Sequence, residues 1–524
     1  MDQNLAQLSL YLSLISQSSN SSSSLDPIPS RILKQCRDVF LGPISTIINK
    51  SLESGLFPKR WKCASVTPLL KKSNLEPELS NYRPISNLSY ISKLIEKSVL
   101  SQMTPHLNNF ETFYKNNSAY KQYHSTETQL LKIYNDLTIN MSNQQVTLLV
   151  LLDMSAAFDT VDHNTLVEVL QNTFNISGSP LNWFRSYLSD RTLQVKINRS
   201  LSDVFNVPHG VPQGSCVGPI AFLAYIASLY DVISQYLVSV GGYADDNQIY
   251  LAFNPSDDSS IAQAIEKIET CISAVKLFLT ERFLKFNDDK TDFIIIGTPQ
   301  QLSKLSNINL KIGSATIYSS SSVNNLGVIF DQNLNMKSHI NSISKSAYYQ
   351  LSRIRQLRRY LDTKVAESLV HAFITSKLDY CNSLFYNLPQ NLLNKLQLIQ
   401  NSAARIISYT PRFSHITPVL KSLHWLPVRY RITYKIALLT FKCLHNLAPD
   451  YLIDLVQPYA PTRTLRSSNA SRLKEPRVDR ELGRRSFYYA APTVWNALPP
   501  RLRHEENLLS FKAGLKKHLF SLAF

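Results

Sequence analysis

The segment Val146-Thr-Leu-Leu-Val-Leu-Leu152 runs directly into Asp153, and this segment decides the fold. Apart from Thr147 it is apolar throughout, so both faces of an extended chain would be hydrophobic. That pattern predicts a strand in the interior of a sheet. A second segment, Gly241-Gly-Tyr-Ala-Asp-Asp-Asn-Gln-Ile-Tyr250, has two β-rich runs around an Asp pair and predicts a hairpin with acidic residues at its turn. Together they predict a sheet with carboxylates at its strand ends.

The flanking sequence predicts helices and strands in no strict alternation, which is typical of an α+β fold rather than a doubly wound sheet. Polar residues dominate at 17–24, which predicts a mobile stretch. Apolar periodicity predicts helices at 30–54, 91–107, 125–142, 163–188, 217–238 and 259–282, and mostly helix after 337. Strands are predicted at 193–197, 204–207, 291–296 and 323–330.

Acidic residues at strand ends suit one kind of chemistry in particular. Phosphoryl transfer to a hydroxyl needs charge neutralisation and in-line placement, which two divalent ions held by a few carboxylates can supply. Asp153 and the pair Asp245-Asp246 are placed for such a task. An Asp at a turn is ordinary, however, so these residues alone leave a metal site and a plain turn as open alternatives.

The sequence segments around these acidic residues resemble the motifs of reverse transcriptases. Tyr243-Ala-Asp-Asp246 looks like their YADD box, Asp153-Met-Ser-Ala-Ala-Phe-Asp159 resembles their first acidic motif, and Val211-Pro-Gln-Gly-Ser215 resembles the loop between them. The resemblance spans roughly 25–515, is closest to non-LTR (LINE-type) retrotransposons, and departs from the usual pattern at Cys216. Further matches, in the family's order, are Asn81-Tyr-Arg-Pro-Ile-Ser86, Trp183-Phe-Arg-Ser-Tyr-Leu188, Gly218-Pro219, Asn287, Lys290-Thr291, Leu326-Gly-Val328 and His424-Trp-Leu-Pro427.

The resemblance implies a right-hand polymerase of α+β class, with fingers, palm and thumb, followed by a mostly helical basic C-terminal region. Residues 1–50 would be an N-terminal extension, partly disordered. Residues 51–330 would hold fingers and palm, residues 331–410 a helical thumb, and residues 411–524 the basic C-terminal region. Within 51–330, the fingers would be 51–145 and 165–205, and the palm 146–164 and 206–330.

The resemblance also implies which residues hold the metal. Asp153 and Asp245 would bind two Mg²⁺ or Mn²⁺ ions, with the carbonyl of Met154 as a further ligand. Asp246 would support the site. The implied cofactor is therefore two divalent ions per site.

The nucleotide contacts follow from the resemblance in the same way. Arg83 would grip the triphosphate, with a structural ion pair as the alternative. Phe158 would lie under the sugar and exclude a 2′-hydroxyl, with core filling as the alternative. Gln213 and Gly214 would line the nascent base pair, and Lys290 would protonate or merely neutralise the leaving pyrophosphate. The primer grip would be formed by Leu326, Gly327 and Val328.

Charge is distributed unevenly along the chain. Residues 331–524 contain 29 Lys and Arg against 11 Asp and Glu, a net charge of +18, whereas residues 1–330 have a net charge of −1. This asymmetry predicts a polyanionic partner for the C-terminal part, with a merely soluble basic surface as the alternative. The nucleic-acid-binding residues are predicted to be Arg353, Arg355, Arg358 and Arg359.

The implied function is RNA-directed DNA synthesis, in which dNTPs extend a DNA primer on an RNA template. A polymerase of another palm lineage and a catalytically silent, retroelement-derived nucleic-acid-binding protein are the alternatives. Six scattered cysteines and no long apolar run predict an intracellular protein, nuclear or cytoplasmic, neither secreted nor in a membrane. No endonuclease or ribonuclease H pattern is found, so an endonuclease acting in trans is an expected partner.

Overall fold

A computed structural model of the chain describes residues 2–18, 24–72, 75–110, 113, 117–155, 158–236, 238–306, 308–313, 315–459 and 471–524. The chain divides into two compact units. Unit 1 comprises Met1–Tyr120, Asp153–Leu237 and Cys271–Asp289, and unit 2 comprises Lys121–Leu152, Val238–Thr270 and Lys290–Phe524. The part predicted to be mobile, 17–24, includes 19–23, which lie outside the described residues.

Unit 1 is built on a mixed sheet. Strand β1 (Cys63–Leu70) pairs antiparallel with β2 (Tyr82–Asn87) and parallel with β5 (Thr192–Ile197). The remaining short strands are β4 (Met154–Ser155), β6 (Ser200–Leu201), β7 (Phe205–Asn206) and β10 (Lys285–Phe286). Strands β6 and β7 both pair with β5, whereas β4 and β10 form a separate ribbon.

Buried aromatic residues form part of the core of unit 1. Trp183 stacks on Tyr187 with ring centroids 5.0 Å apart, and Phe57 packs edge-on against both rings. The helices of unit 1 are α1 (Asp2–Gln17), α2 (Ser30–Gln35), α3 (Arg37–Ser54), α4 (Tyr90–Leu107), α6 (His163–Asn172), α7 (Gly178–Leu188), α8 (Gly218–Tyr225) and α9 (Leu229–Ser234). Helix α1 lies in the segment for which partial disorder is predicted, yet its Tyr11 is buried.

Unit 2 contains an antiparallel sheet in the order β11-β3-β9-β8. Its strands are β3 (Val146–Leu152), β8 (Ser239–Tyr243), β9 (Asp246–Phe253) and β11 (Asp292–Ile296). Strand β3 is flanked on both sides, as its apolar sequence predicts, and only Leu151 among its side chains is not fully buried. Helix α5 spans Thr126–Ser142 and is capped at its N-terminus by Ser125, which forms a capping box with Thr128.

Two further hairpins and a helical array complete unit 2. The hairpins pair β12 (Asn309–Ile312) with β13 (Ala315–Tyr318) and β14 (Ser322–Asn325) with β15 (Val328–Asp331). The helices are α11 (Pro299–Leu302), α12 (Lys337–Leu357), α13 (Thr363–Val370), α14 (Ser376–Asp379), α15 (Gln390–Ser408), α16 (Thr417–Ser422), α17 (Val428–Leu444), α18 (Asp450–Ile453), α19 (Phe487–Asn496), α20 (Pro500–Arg503) and α21 (Leu508–Ala523). The division between units falls within helix α10 (Asp258–Glu281). In the described part of the chain, no helix combines the length and apolar character needed to cross a membrane.

Four sequence predictions are corrected here. The helices predicted at 30–54, 163–188 and 217–238 are each divided in two, into α2 and α3, α6 and α7, and α8 and α9. The strand predicted at 323–330 is a hairpin. The break between α8 and α9 follows Tyr225, whose carbonyl accepts a hydrogen bond from the Arg282 guanidinium at 3.2 Å. The hairpin turns at Leu326 and Gly327, which both have positive φ. That geometry matches a two-residue hairpin turn.

Candidate active site

The β8–β9 hairpin of unit 2 presents the Asp pair at its tip. Tyr243 pairs with Asp246, which leaves Ala244 and Asp245 as the two turn residues. On the neighbouring strand, Leu152 pairs with Asn247. The C-terminal end of β3 is therefore level with the hairpin tip, and Asp153 is the next residue of the chain.

The turn of the β8–β9 hairpin has a strained backbone, and strand β8 packs closely on helix α5. Ala244 has φ of +59°, a conformation that costs a residue with a Cβ about 1 kcal/mol. Gly241 lies against α5, where an added Cβ would come within 1.9 Å of Gln129 Nε2. A side chain at 241 would displace the Gln129 amide, so glycine lets α5 pack closely on β8, the strand that leads into the turn.

In unit 1, Asp153 is anchored by Asn287, which lies 134 residues later in the chain. The backbone N–H of Asn287 donates to the Asp153 carbonyl at 3.0 Å, and the Asn287 side-chain amide donates to Asp153 Oδ2 at 3.1 Å. The β4–β10 ribbon brings them together by pairing Met154 with Phe286. Two residues that the sequence motifs singled out separately are thus partners.

Three of the predicted motifs converge at Gln213 in unit 1. Its side-chain Nε2 donates to both carboxylate oxygens of Asp159 at 2.9 Å. Its backbone carbonyl accepts from the N–H of Ser86 at 2.8 Å. Segments 81–86, 153–159 and 211–215 therefore meet through one residue.

Gly214 makes this convergence sterically possible. Its φ is +133°, and a Cβ there would lie 2.3 Å from the carbonyl oxygen of Ser86. No side chain fits at that distance, so only glycine lets the 211–215 loop pass so close to β2. Gly214 itself is exposed.

Phe158 is half-buried and has a fixed orientation. Its ring stacks on Phe222 with centroids 4.8 Å apart, and its carbonyl accepts from the N–H of Val211 at 2.8 Å. One face of the ring is thus supported by the core while the side chain stays partly exposed. This arrangement fits a rigid surface at a site.

The two predicted phosphate-contacting cations are both exposed. Arg83 lies on β2 opposite Leu69 and makes no ion pair within the described residues, which counts against the alternative that its role is a structural ion pair. Lys290 ends a short 3₁₀ turn, Asp288–Lys290. In unit 1, Asp288 is engaged by Lys276 in an ion pair.

The predicted primer-grip residues form the tip of the β14–β15 hairpin in unit 2. Leu326 and Gly327 are the turn residues, and Val328 is fully buried. The hydroxyl of Tyr380 donates to the Leu326 carbonyl at 2.6 Å, and its oxygen lies 3.2 Å from the hydroxyl oxygen of Thr126. Tyr380 therefore holds the turn, a role that nothing in the local sequence indicates.

The candidate metal ligands are carboxylates, the donors that Mg²⁺ and Mn²⁺ prefer. Asp153 and Asp245 are half-buried and Asp246 is exposed. Over the described ranges, no group of three or more His, Cys, Asp or Glu side chains is close enough to hold a metal ion unaided. Two-metal polymerase sites need few protein ligands because water and phosphate complete the shell, so the donor set fits in chemical type.

Glu96 was not found by sequence reasoning, yet it supports the 211–215 loop. It is fully buried on α4, and its Oε2 accepts from the backbone N–H of Cys216 at 2.5 Å and of Val217 at 3.2 Å. Burial raises the pKa of Glu96, while these amide hydrogen bonds and the charge of Arg191 act in the opposite direction. Its position four residues after buried Ser92 and three before buried Val99 was the available signal.

One of the predicted nucleic-acid contacts, Arg358, is buried. Arg358 is only 5% exposed, and its guanidinium donates to the carbonyls of Leu361, Ile406 and Ile407 at 2.6, 3.0 and 2.8 Å. Helix α12 ends at Leu357 and the next residue turns inward, which counts against a direct contact of Arg358 with nucleic acid. The other three arginines, Arg353, Arg355 and Arg359, are exposed.

Comparison with known proteins agrees with the motifs. The family model described as "Reverse transcriptase (RNA-dependent DNA polymerase)" matches residues 69–330, which is half of the chain. A probable RNA-directed DNA polymerase from transposon BS of Drosophila melanogaster is 25% identical over 74% of this chain and 43% of its own length. The RNA-directed DNA polymerase from the mobile element jockey of the same organism is 23% identical over 76% of this chain and 43% of its own.

The chain thus spans less than half the length of these curated relatives. Among solved structures, apo telomerase from Candida tropicalis is similar at 12% identity with a TM-score of 0.40. That match covers 78% of this chain and 70% of the telomerase chain.

Proposed function

This chain belongs to the reverse transcriptase (RNA-dependent DNA polymerase) family, with relatives in non-LTR mobile elements, and we propose that it synthesises DNA on an RNA template. The proposed substrates are dNTPs and a DNA primer 3′-hydroxyl. We also propose the right-hand assignment, with fingers and palm in 51–330, a thumb in 331–410 and a basic region in 411–524.

The convergence at Gln213 carries this proposal. A residue from each of three separate segments meets there, through the hydrogen bonds with Asp159 and Ser86. Segments far apart in sequence need to meet in this way when they jointly enclose a substrate. Gly214 supports the same conclusion because its close approach to Ser86 leaves an exposed backbone surface, against which a flat base pair could lie.

Asp153 and Asp245 are the proposed ligands of two Mg²⁺ or Mn²⁺ ions, with the Met154 carbonyl as an added ligand and Asp246 in support. Bound there, the ions would activate the primer hydroxyl and stabilise charge on the leaving group. Asn287 orients Asp153 by its two hydrogen bonds. The strained turn at Ala244 fixes where the Asp245 carboxylate emerges from the hairpin.

The remaining proposed roles concern the nucleotide and the primer. The exposed guanidinium of Arg83 would bind the triphosphate, and Lys290 would neutralise or protonate pyrophosphate. The ring of Phe158, supported by Phe222, would exclude a 2′-hydroxyl. The turn Leu326-Gly-Val328, held by Tyr380, would position the primer end.

Primer extension tests the proposal. Purified protein is given a labelled DNA primer on a homopolymer RNA template, and separately on the matching DNA template, with dNTPs and Mg²⁺. We expect extension on RNA that stops when the metal is chelated. Extension on DNA alone would point to another polymerase lineage, and binding without extension would point to a catalytically silent protein.

A further inference from the structure

A pocket of about 1140 Å³ in unit 2 is lined by an unusual concentration of arginine. Its walls are the C-terminal end of α12 with the following turn, and the C-terminal half of α15 with the segment up to residue 412. No lining residue is acidic. The arginines that line it are Arg355, Arg358, Arg359, Arg405 and Arg412.

Two of these arginines are fixed by neutral acceptors. Arg358 donates to three backbone carbonyls, as described above, and Arg405 donates to the carbonyls of Ser414 at 3.0 Å and Pro411 at 3.4 Å. These hydrogen bonds hold the guanidinium groups in place without neutralising their charge. Across the described part of the chain, none of the five pocket arginines forms an ion pair with Asp or Glu.

The pocket therefore carries five uncompensated positive charges, of which Arg355, Arg359 and Arg412 are exposed. Like charges that are brought together without counter-charges repel one another, so an anion that binds here gains from all of them. Planar guanidinium groups match the geometry of phosphate oxygens, which makes phosphate the favoured anion.

Aromatic faces distinguish between kinds of phosphate ligand. Tyr409 and Tyr348 line the pocket and are 64% and 45% exposed. Tyr409 is held in place because its ring lies over the Arg358 guanidinium at 4.2 Å and its hydroxyl donates to the Arg358 carbonyl at 3.0 Å. Exposed rings beside a phosphate groove are typical of proteins that bind unpaired strands, since a duplex hides its base faces.

We propose that this pocket binds an unpaired stretch of nucleic acid, with phosphates on Arg355, Arg359 and Arg412 and bases on Tyr348 and Tyr409. That the strand is RNA rests on the proposed function. The binding chemistry itself does not.

The test uses the full chain, a fluorescent single-stranded oligouridylate and an RNA duplex of equal length, without dNTPs or divalent metal. The variant R355Q/R359Q removes two exposed charges. The matched control, R429Q/R501Q, removes two exposed arginine charges of unit 2 outside the pocket. We expect the first variant to bind oligouridylate on the order of tenfold more weakly. The slope of log K against log salt should become shallower by about 1.4, at ~0.7 per phosphate of a single strand. The control should leave both quantities unchanged.

A second variant, Tyr348→Ala, separates stacking from charge. We expect weaker oligouridylate binding with an unchanged salt slope. If R355Q/R359Q weakened duplex binding as much as single-strand binding, the pocket would not select an unpaired strand. Equal competition by polyglutamate would show an acidic protein surface to be the ligand. This binding assay does not measure synthesis. A protein that binds through the pocket but does not extend a primer would therefore refute the proposed function and leave this inference intact.

Discussion

Asn287 holds Asp153 through both its backbone and its side chain, with N–H to carbonyl and amide to carboxylate distances of 3.0 and 3.1 Å. The paired hydrogen bonds fix the direction in which the carboxylate leaves the chain just after the buried strand β3. A metal ligand gains from such orientation because residues behind the ligand set its geometry. Asn287 is thus a positioning residue in the proposed mechanism.

Replacing either proposed metal carboxylate should abolish synthesis. We expect Asp153→Asn and Asp245→Asn each to lower kcat of primer extension by ~10³ or more, because several kcal/mol of transition-state stabilisation would be lost. Folding should be preserved, which a thermal melt would verify. Asp203→Asn, at an exposed acid, is the matched control and should extend normally. If Asp245→Asn retained a tenth of the wild-type rate, the two-metal assignment would be wrong.

Asn287→Asp should shift the pH dependence of synthesis. The substitution replaces the amide donor by a second carboxylate, and like charges that share a site disfavour the ionised form of the pair. A carboxylate must be ionised to bind metal, so activity should fall most at low pH and recover as the pH rises. Asn287→Ala removes the donor without adding charge and should lower activity with a smaller shift. Rate profiles from pH 5.5 to 8.5 that coincide for the two variants would contradict this account.

The sequence predicted those parts of the fold that have a strong local pattern. Strand β3 occurs at 146–152 as predicted, and its interior position follows from apolar side chains on both faces. At the break after Tyr225 the carbonyl accepts a hydrogen bond from Arg282, 57 residues away, a tertiary contact that local sequence does not reveal. By contrast, Gly327 was a visible turn signal within the strand predicted at 323–330.

The sequence motifs name the candidate site residue by residue but do not reveal the contacts between those residues. The motifs named Asp153, Asp159, Gln213 and Asn287 individually. That Asn287 holds Asp153 and Gln213 holds Asp159 depends on tertiary pairing, which spacing along the chain does not reveal. The burial of Arg358 was not predicted either, since the helix end that turns it inward has no clear sequence signal.

Phe158→Val should relax sugar selection if the ring excludes a 2′-hydroxyl. The ring is supported by Phe222 at 4.8 Å, so the obstacle is rigid and its removal should admit ribonucleotides while deoxynucleotide use is retained. The quantity to measure is the ratio of kcat/KM for dNTP and rNTP, which should fall by roughly tenfold or more. Phe158→Tyr preserves the ring and should preserve the ratio. An unchanged ratio in an active Phe158→Val protein would show that the side chain only fills the core.

Glu96 offers a test of how the 211–217 segment is supported. In Glu96→Ala the amides of Cys216 and Val217 lose their buried acceptor, and each unsatisfied donor costs about 1–3 kcal/mol. Glu96→Gln should be milder, because one amide oxygen can still accept from both N–H groups. We expect denaturant unfolding at pH 7 to rank wild type and Gln well above Ala, and the Ala variant to show a raised KM for dNTP. Equal stability of the Ala and Gln variants would contradict this role.

The ionisation of Glu96 gives a further readout in the same experiment. Burial raises the pKa of Glu96 in the folded state above its unfolded value of about 4.3. The protonated form is therefore favoured by folding, so its contribution to stability is complete below the unfolded pKa and is lost as the pH rises through the folded one. Glu96→Gln has no proton to lose there. We expect the wild type to lose stability relative to Glu96→Gln as the pH rises above about 4.3, and parallel pH–stability curves for the two proteins would rule this out.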